Sequence, residues 1–142
     1  MARIIEDEEG IAQIVRQSRR IAVLGIKTEE QQGQPAFDVP AYLQRVGLEV
    51  VPVPVYYPAV TQILGKPVYR SVNDVPGDLD LVDVFRRSVD VLPHVPDLIA
   101  KKPKAVWLQL GIENDAAAKQ LVAAGIDVVQ NRCLLVDHRR YG

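Results

Sequence analysis

The residues best suited to chemistry stand at the ends of three apolar runs. The first run, Ile21 to Leu24, stops at Gly25 and continues through Ile26, Lys27 and Thr28 to Pro35, where a helical pattern opens. Strand, glycine, loop and helix start in that order form the phosphate-holding turn of many α/β proteins. Gly25 permits close backbone approach, while Lys27 and the helix start add positive field. A glycine that only turns the chain would look the same. The run "LDLVDVF" ends in Phe85, Arg86 and Arg87. A guanidinium there can hold a phosphate and Phe85 can pack on an adenine or a pantetheine arm; the plain alternative is a core phenylalanine and solvated arginines. Tyr56 and Tyr57 follow "VVPVPV" and suit either a stacked base or a subunit contact.

Other chemistries are poorly provided for. The chain has no G-x-G-x-x-G, no Walker motif and no acidic residue at the end of the second run to hold a ribose, which disfavours a nicotinamide cofactor. His94 and His138 lack metal-ligand spacing, and no G-x-S-x-G elbow is present. Cys133 and His138 are five apart, a spacing that does not bring them face to face on a helix. Cys133 is expected to be buried and inert, and Trp107 to be core. Gln109, a polar residue inside "AVWLQLG", is either a crevice residue or a structural strut.

Strands and helices must alternate to position these residues. Asp7 to Ser18 reads as an amphipathic helix, and Pro35 to about Gly47 as a second, with Pro40 tolerable if it lies in the first turn. Strands are expected at Ile21–Gly25, Glu49–Val55, Leu79–Arg86, Ala105–Gly111 and "IDVVQ", with a short one near Val68. Helices are expected over Val91–Lys101 and from Glu113 or Asn114 to Ala123, with a turn or short helix at the C-terminus. The prolines of "EVVPVPV" mark an edge strand. The pattern predicts an α/β fold: a Rossmann-like, doubly wound, mainly parallel sheet of about five or six strands with helices on both faces. The first strand is expected at its centre with "VDVF" beside it. The ends of "LGIKT", "VFRRS" and "LQLG" then line the crevice where such sheets bind ligands.

Length and composition fit this reading. The 142 residues suit a single domain, 1–142, and the net charge of −1 gives no broad footprint for nucleic acid. One cysteine rules out an internal disulfide. No signal peptide or membrane span is legible, so a soluble, cytoplasmic protein is expected.

Five segments in order, "RRIAVLGI", "VVPVPV", "NDVPGDLDLVDVFR", "KAVWLQLGI" and "VVQNRCLLVDH", resemble a family of small stand-alone CoA-binding proteins. That family is itself similar to the CoA-binding domain of the succinyl-CoA synthetase alpha subunit. The resemblance runs from about Ile14 to His138 and implies a Rossmann-like domain that binds coenzyme A or an acyl-CoA, without a reaction of its own. Carried over, it makes Gly25, Ile26, Lys27 and Thr28 the phosphate loop. Val53 and Pro54 fall on the adenosine side, with Tyr56 near them as a candidate stacking residue, and Val84, Phe85 and Arg86 on the facing strand end. It gives Arg132 and Cys133 a structural role. Two departures stand out: the loop is longer, with Ile26 in place of a small residue and Glu29 and Glu30 adding negative charge, and Tyr56 or Tyr57 stands after the second strand where a basic residue is common. Lys66 or Arg70 would have to read the 3′-phosphate. The synthetase's phosphohistidine domain is absent, so its catalysis does not transfer. The other readings are an NAD(P)-binding oxidoreductase or sensor, and an interaction protein, possible as a homodimer, that has lost its ligand.

Overall fold

Short apolar runs bounded by glycines and prolines become short parallel strands. The computed structural model describes Met1–Gly142. Helix α1 (Glu8–Gln17) leads into β1 (Arg20–Leu24), and α2 (Pro35–Arg45) into β2 (Glu49–Val53). A small hairpin, β3 (Gln62–Ile63) and β4 (Lys66–Pro67), precedes β5 (Leu81–Val84). Then α3 (Val95–Lys101) leads into β6 (Ala105–Leu108), α4 (Asp115–Ala123) into β7 (Asp127–Val129), and α5 (Leu134–Tyr141) follows. The five longer strands form one parallel sheet in the order β2-β1-β5-β6-β7. This is a Rossmann-like α/β fold. Its central strand is β5, with β1 beside it, whereas the sequence pattern put β1 at the centre.

Alternation along each strand feeds two cores. Ala22, Leu24, Val82, Val84, Val106 and Leu108 face one layer, where Leu98 of α3 and Ala117, Ala118 and Leu121 of α4 close over them. Ile21, Val23, Leu81, Ala105 and Trp107 face the other, covered by Ile11 and Ile14 of α1, Phe37 and Leu43 of α2, and Leu134 of α5. Burial on both faces explains why the strands read as continuous apolar runs.

Two expectations change, and one pairing is added. The strand near Val68 is instead the antiparallel β3–β4 hairpin, outside the main sheet. It still guards the exposed edge, because the Tyr69 N–H donates to the Pro52 carbonyl at 3.0 Å. The helix expected from Val91 starts as two 3₁₀ turns, Ser88–Asp90 and Leu92–His94, before α3. Pro93 and Pro96 can supply no N–H to a longer ladder there. At the opposite edge Ile4 bridges Val128 and extends the sheet beyond β7, a pairing too short to show in the sequence. No helix is long and apolar enough to cross a membrane.

Asp83 lies in the middle of this core. It pairs in register with Val23 and Trp107, is fully buried, and neither carboxylate oxygen has a hydrogen-bond partner. Burial pushes its pKa well above the ordinary 3.8. The folded state therefore holds this proton at pH values where the unfolded chain has released it, and Asp83 lowers stability progressively as pH rises above 3.8. Asn has the same shape and does not titrate. Asp83→Asn is predicted to gain stability over the parent by about 1.4 kcal/mol per pH unit above that value, until the folded-state pKa is reached. Urea titrations from pH 4 to pH 7 measure this difference, and a pH-independent one overturns the assignment.

Candidate functional site

The ends of β1 and β5 approach so closely that residue 25 has no room for a side chain. Gly25 has φ +87°, and a Cβ there would stand 2.2 Å from the Phe85 carbonyl oxygen and 3.3 Å from Arg86 Cδ. The glycine is thus required by the neighbouring strand and by the arginine stem that crosses it. Its N–H donates to the Val53 carbonyl at 2.9 Å, and the Phe85 N–H donates to the Leu24 carbonyl at 2.8 Å. The Gly25 amide is bound inside the sheet, so an anion at this loop must meet other donors.

The next residues divide between structural and free groups. The Ile26 side chain is in the core, so its bulk does not obstruct the crevice, and no protein acceptor takes its N–H. The Lys27 N–H donates to the Ala36 carbonyl at 3.1 Å. That carbonyl is available because Pro40, four residues on, has no N–H to offer it. Pro40 lies beyond the first turn of α2, where it was expected, and the Lys27 amide takes the place of the missing helical donor. The Lys27 ammonium donates to Gln34 Oε1. Thr28 N–H and Oγ1–H both donate to Gln31 Oε1, at 3.0 and 2.6 Å. Glu29 accepts from the Leu64 N–H at 2.7 Å, which ties the loop to the hairpin. Glu29 and Glu30 line a cleft of about 300 Å³ with Thr28, Tyr57, Val60 and Gln62.

Arg86 is different from every other cation near the crevice. Its side chain is 15% exposed. Nε–H donates to His94 Nε2 at 3.2 Å and Nη1–H donates to the Tyr56 hydroxyl at 3.3 Å. Its guanidinium carbon also stands 5.6 Å from the Tyr56 ring centroid. Nη2 makes no hydrogen bond. The nearest carboxylate oxygen, Asp90 Oδ2, is 3.9 Å away and is held more tightly by Arg87 at 2.8 Å. The charge of Arg86 is therefore incompletely neutralised. Arg70, one candidate reader of the 3′-phosphate, is engaged elsewhere: it donates to the carbonyls of Tyr56, Tyr57, Pro58 and Val60 and shapes the loop after β2. Lys66, the other, is exposed on β4 and makes no ion pair.

The remaining residues singled out in the sequence take the following positions. Val53, Pro54 and Val84 are buried and Phe85 is half-buried, so they shape the strand ends. Tyr56 is 62% exposed. Gln109 is a strut: buried, it accepts the Leu134 N–H at the start of α5. Trp107 is core, as expected, with its Nε1–H on the Arg132 carbonyl at 2.8 Å. Arg132 pairs with Glu8 and Asp137, pinning α1 and α5 to the loop after β7. Cys133 is half-buried at the residue preceding α5, where full burial was expected. His138 bonds the Tyr42 hydroxyl at 2.8 Å. Sequence reasoning missed His94 as a site residue. Its link to Arg86 runs through irregular 3₁₀ turns that leave no periodic signal.

The profile of a family described as "CoA binding domain" matches residues 19–139. The chain belongs to that family. A Thermus thermophilus protein solved as cell-free ID.343 is 34% identical with a TM-score of 0.86, over 96% of this chain and 100% of that one. A hypothetical protein from Pyrococcus horikoshii OT3 is 31% identical with a TM-score of 0.84, over 99% and 97%. The uncharacterized protein YneT of Bacillus subtilis (strain 168) is 29% identical over 128 residues, 90% of this chain and 91% of that one. The apo form of the dinucleotide forming acetyl-coenzyme A synthetase 1 of Ca. Korarchaeum cryptofilum, 21% identical with a TM-score of 0.65, shares the fold over 78% of this chain and 25% of its own.

Gly25→Ala tests the close approach of β1 and β5. The substitution combines a left-handed φ with a backbone clash and is predicted to destabilise the protein by about 3 kcal/mol or more. The urea midpoint reads this, and a variant within about 0.5 kcal/mol of the parent overturns the account.

Proposed function

We propose that this protein is a CoA- or acyl-CoA-binding module that holds its ligand's phosphates at the C-terminal ends of β1 and β5 and catalyses no reaction of its own. The observation that carries this reading is Arg86: a largely buried guanidinium without a close carboxylate of its own, lying across Gly25 in a chain of the CoA binding domain family. A cation withdrawn from water without full compensation is favoured by an anionic ligand. The Ile26 N–H, free of protein acceptors, is a second donor at the same strand end. Lys27 and Thr28 shape the loop, and Tyr56 and Phe85 offer aromatic surface beside the guanidinium. The carboxylates of Glu29 and Glu30 bias the phosphates toward the Arg86 side.

Isothermal titration with CoA, dephospho-CoA and NAD tests the reading. CoA is predicted to bind in preference to NAD, and Arg86→Ala to weaken CoA at least tenfold, about 1.4 kcal/mol. With Arg70 committed to backbone carbonyls, Lys66 is the remaining candidate reader of the 3′-phosphate, and Lys66→Ala is predicted to bind CoA and dephospho-CoA within a few-fold of each other. Absence of heat with CoA at millimolar concentration, or a stronger response to NAD, overturns the proposal.

A further inference from the structure

Arg86 is anchored in an unusual way for a guanidinium that is largely out of water. Such groups ordinarily take a carboxylate, which supplies both an acceptor and a compensating charge. Here the two hydrogen-bonding partners are an imidazole nitrogen and a phenol hydroxyl. Because Nε2 of His94 accepts the Arg86 Nε–H, it carries no proton, and the ring is the neutral Nδ1–H tautomer. Burial, and after it the neighbouring Arg86, lowers the pKa of His94, so the ring stays neutral near pH 7. Asp90 and Asp97 oppose that shift and are the acidic groups acting on the ring. The anchor thus fixes direction without cancelling charge.

We propose that His94 is a positioning residue for the phosphorylated ligand, holding the Arg86 guanidinium across the crevice as a neutral acceptor and so leaving its positive charge available to a phosphate. The inference rests on the CoA-binding reading above and adds to it a residue and a requirement: the acceptor at position 94 must be uncharged. Three features support it together. The arginine stem passes over Gly25, where there is no room for a side chain. Nε is held from behind by His94 and Nη1 from the side by Tyr56, which leaves Nη2 without a hydrogen bond. The one nearby carboxylate, Asp90, is drawn toward Arg87, which it meets 1.1 Å closer (3.9 Å against 2.8 Å).

Charge and anchoring separate experimentally at this position. Gln offers an uncharged acceptor, Glu a stronger anchor that cancels the charge, and Ala neither. CoA affinity is measured by isothermal titration on the whole chain for the parent, His94→Gln, His94→Glu and His94→Ala, with thermal melts to confirm folding. His94→Gln is expected to keep CoA within about threefold of the parent. His94→Glu is expected to lose at least tenfold while melting at or above the parent temperature, and its loss is expected to shrink as added salt screens the charge. His94→Ala is expected to fall between them. A His94→Glu protein that binds CoA like the parent shows that anchoring alone matters and overturns the inference, leaving the CoA reading intact. A His94→Gln protein as weak as His94→Glu overturns it as well. A parent protein that takes up no CoA sinks both.

Discussion

The contact between the Phe85 carbonyl and Gly25 is the constraint on which the crevice depends. Any side chain at residue 25 would overlap that oxygen, so β1 can run flush against β5 to its last residue only with glycine there. The same closeness closes a short ladder, from Gly25 to Val53 on one side and from Phe85 to Leu24 on the other. Three strand ends are thereby locked in register at the point where the sheet order reverses. Only above such a floor can the Arg86 stem cross from β5 toward the loop after β2. The glycine thereby makes a path for the cation.

Three arginines show how environment decides what one residue type does. Arg132 lies between two carboxylates, Glu8 and Asp137, that raise its pKa and compensate its charge; in return, the Arg132 hydrogen bonds hold Glu8 down at about 2. That pair of bridges is a clamp joining α1 and α5. Arg70 faces four carbonyl oxygens, which match the guanidinium fork without charge and fix the loop carrying Tyr56 and Tyr57. Arg86 has the fewest acceptors of the three, and its one carboxylate contact, Asp90, is 3.9 Å away. A clamp, a scaffold and an incompletely paired cation are thus separated by what surrounds each guanidinium.

Much of the fold was legible because two-sided burial leaves a strong sequence signal. Ile21–Leu24 and Ala105–Leu108 read as strands since every residue between their ends must be apolar. Pro52 marked an edge because the outer side of β2 needs no ladder donor. The β3–β4 hairpin escaped notice: two-residue strands have no period, and its turn relies on left-handed Leu64 and Gly65. At the site, Gly25 and Arg86 stood out by their place at strand ends. The relation between them did not, since it depends on a distance across two strands. His94 was invisible for a similar reason. Gln109 was legible as a polar residue in an apolar strand, but only the structure shows that its partner is the start of α5.

Polar groups beneath and around the crevice follow one logic, with one exception. Gln109, Thr28 and the amides of Gly25 and Lys27 all have partners within the protein, so each makes the loops rigid and none invites a ligand. The donors left over, the Ile26 N–H and Arg86 Nη2, are both at the ends of β1 and β5, and both are hydrogen-bond donors. Two unpaired donors at one pair of strand ends suit a group rich in acceptors, such as a phosphate. Asp83 is the exception: a buried carboxyl with no partner, on the strand that ends in Phe85 and Arg86. Burial raises its pKa, so the core favours the neutral carboxyl over the carboxylate. An ionised Asp83 would set a negative charge beneath the strand ends, in a medium that screens poorly.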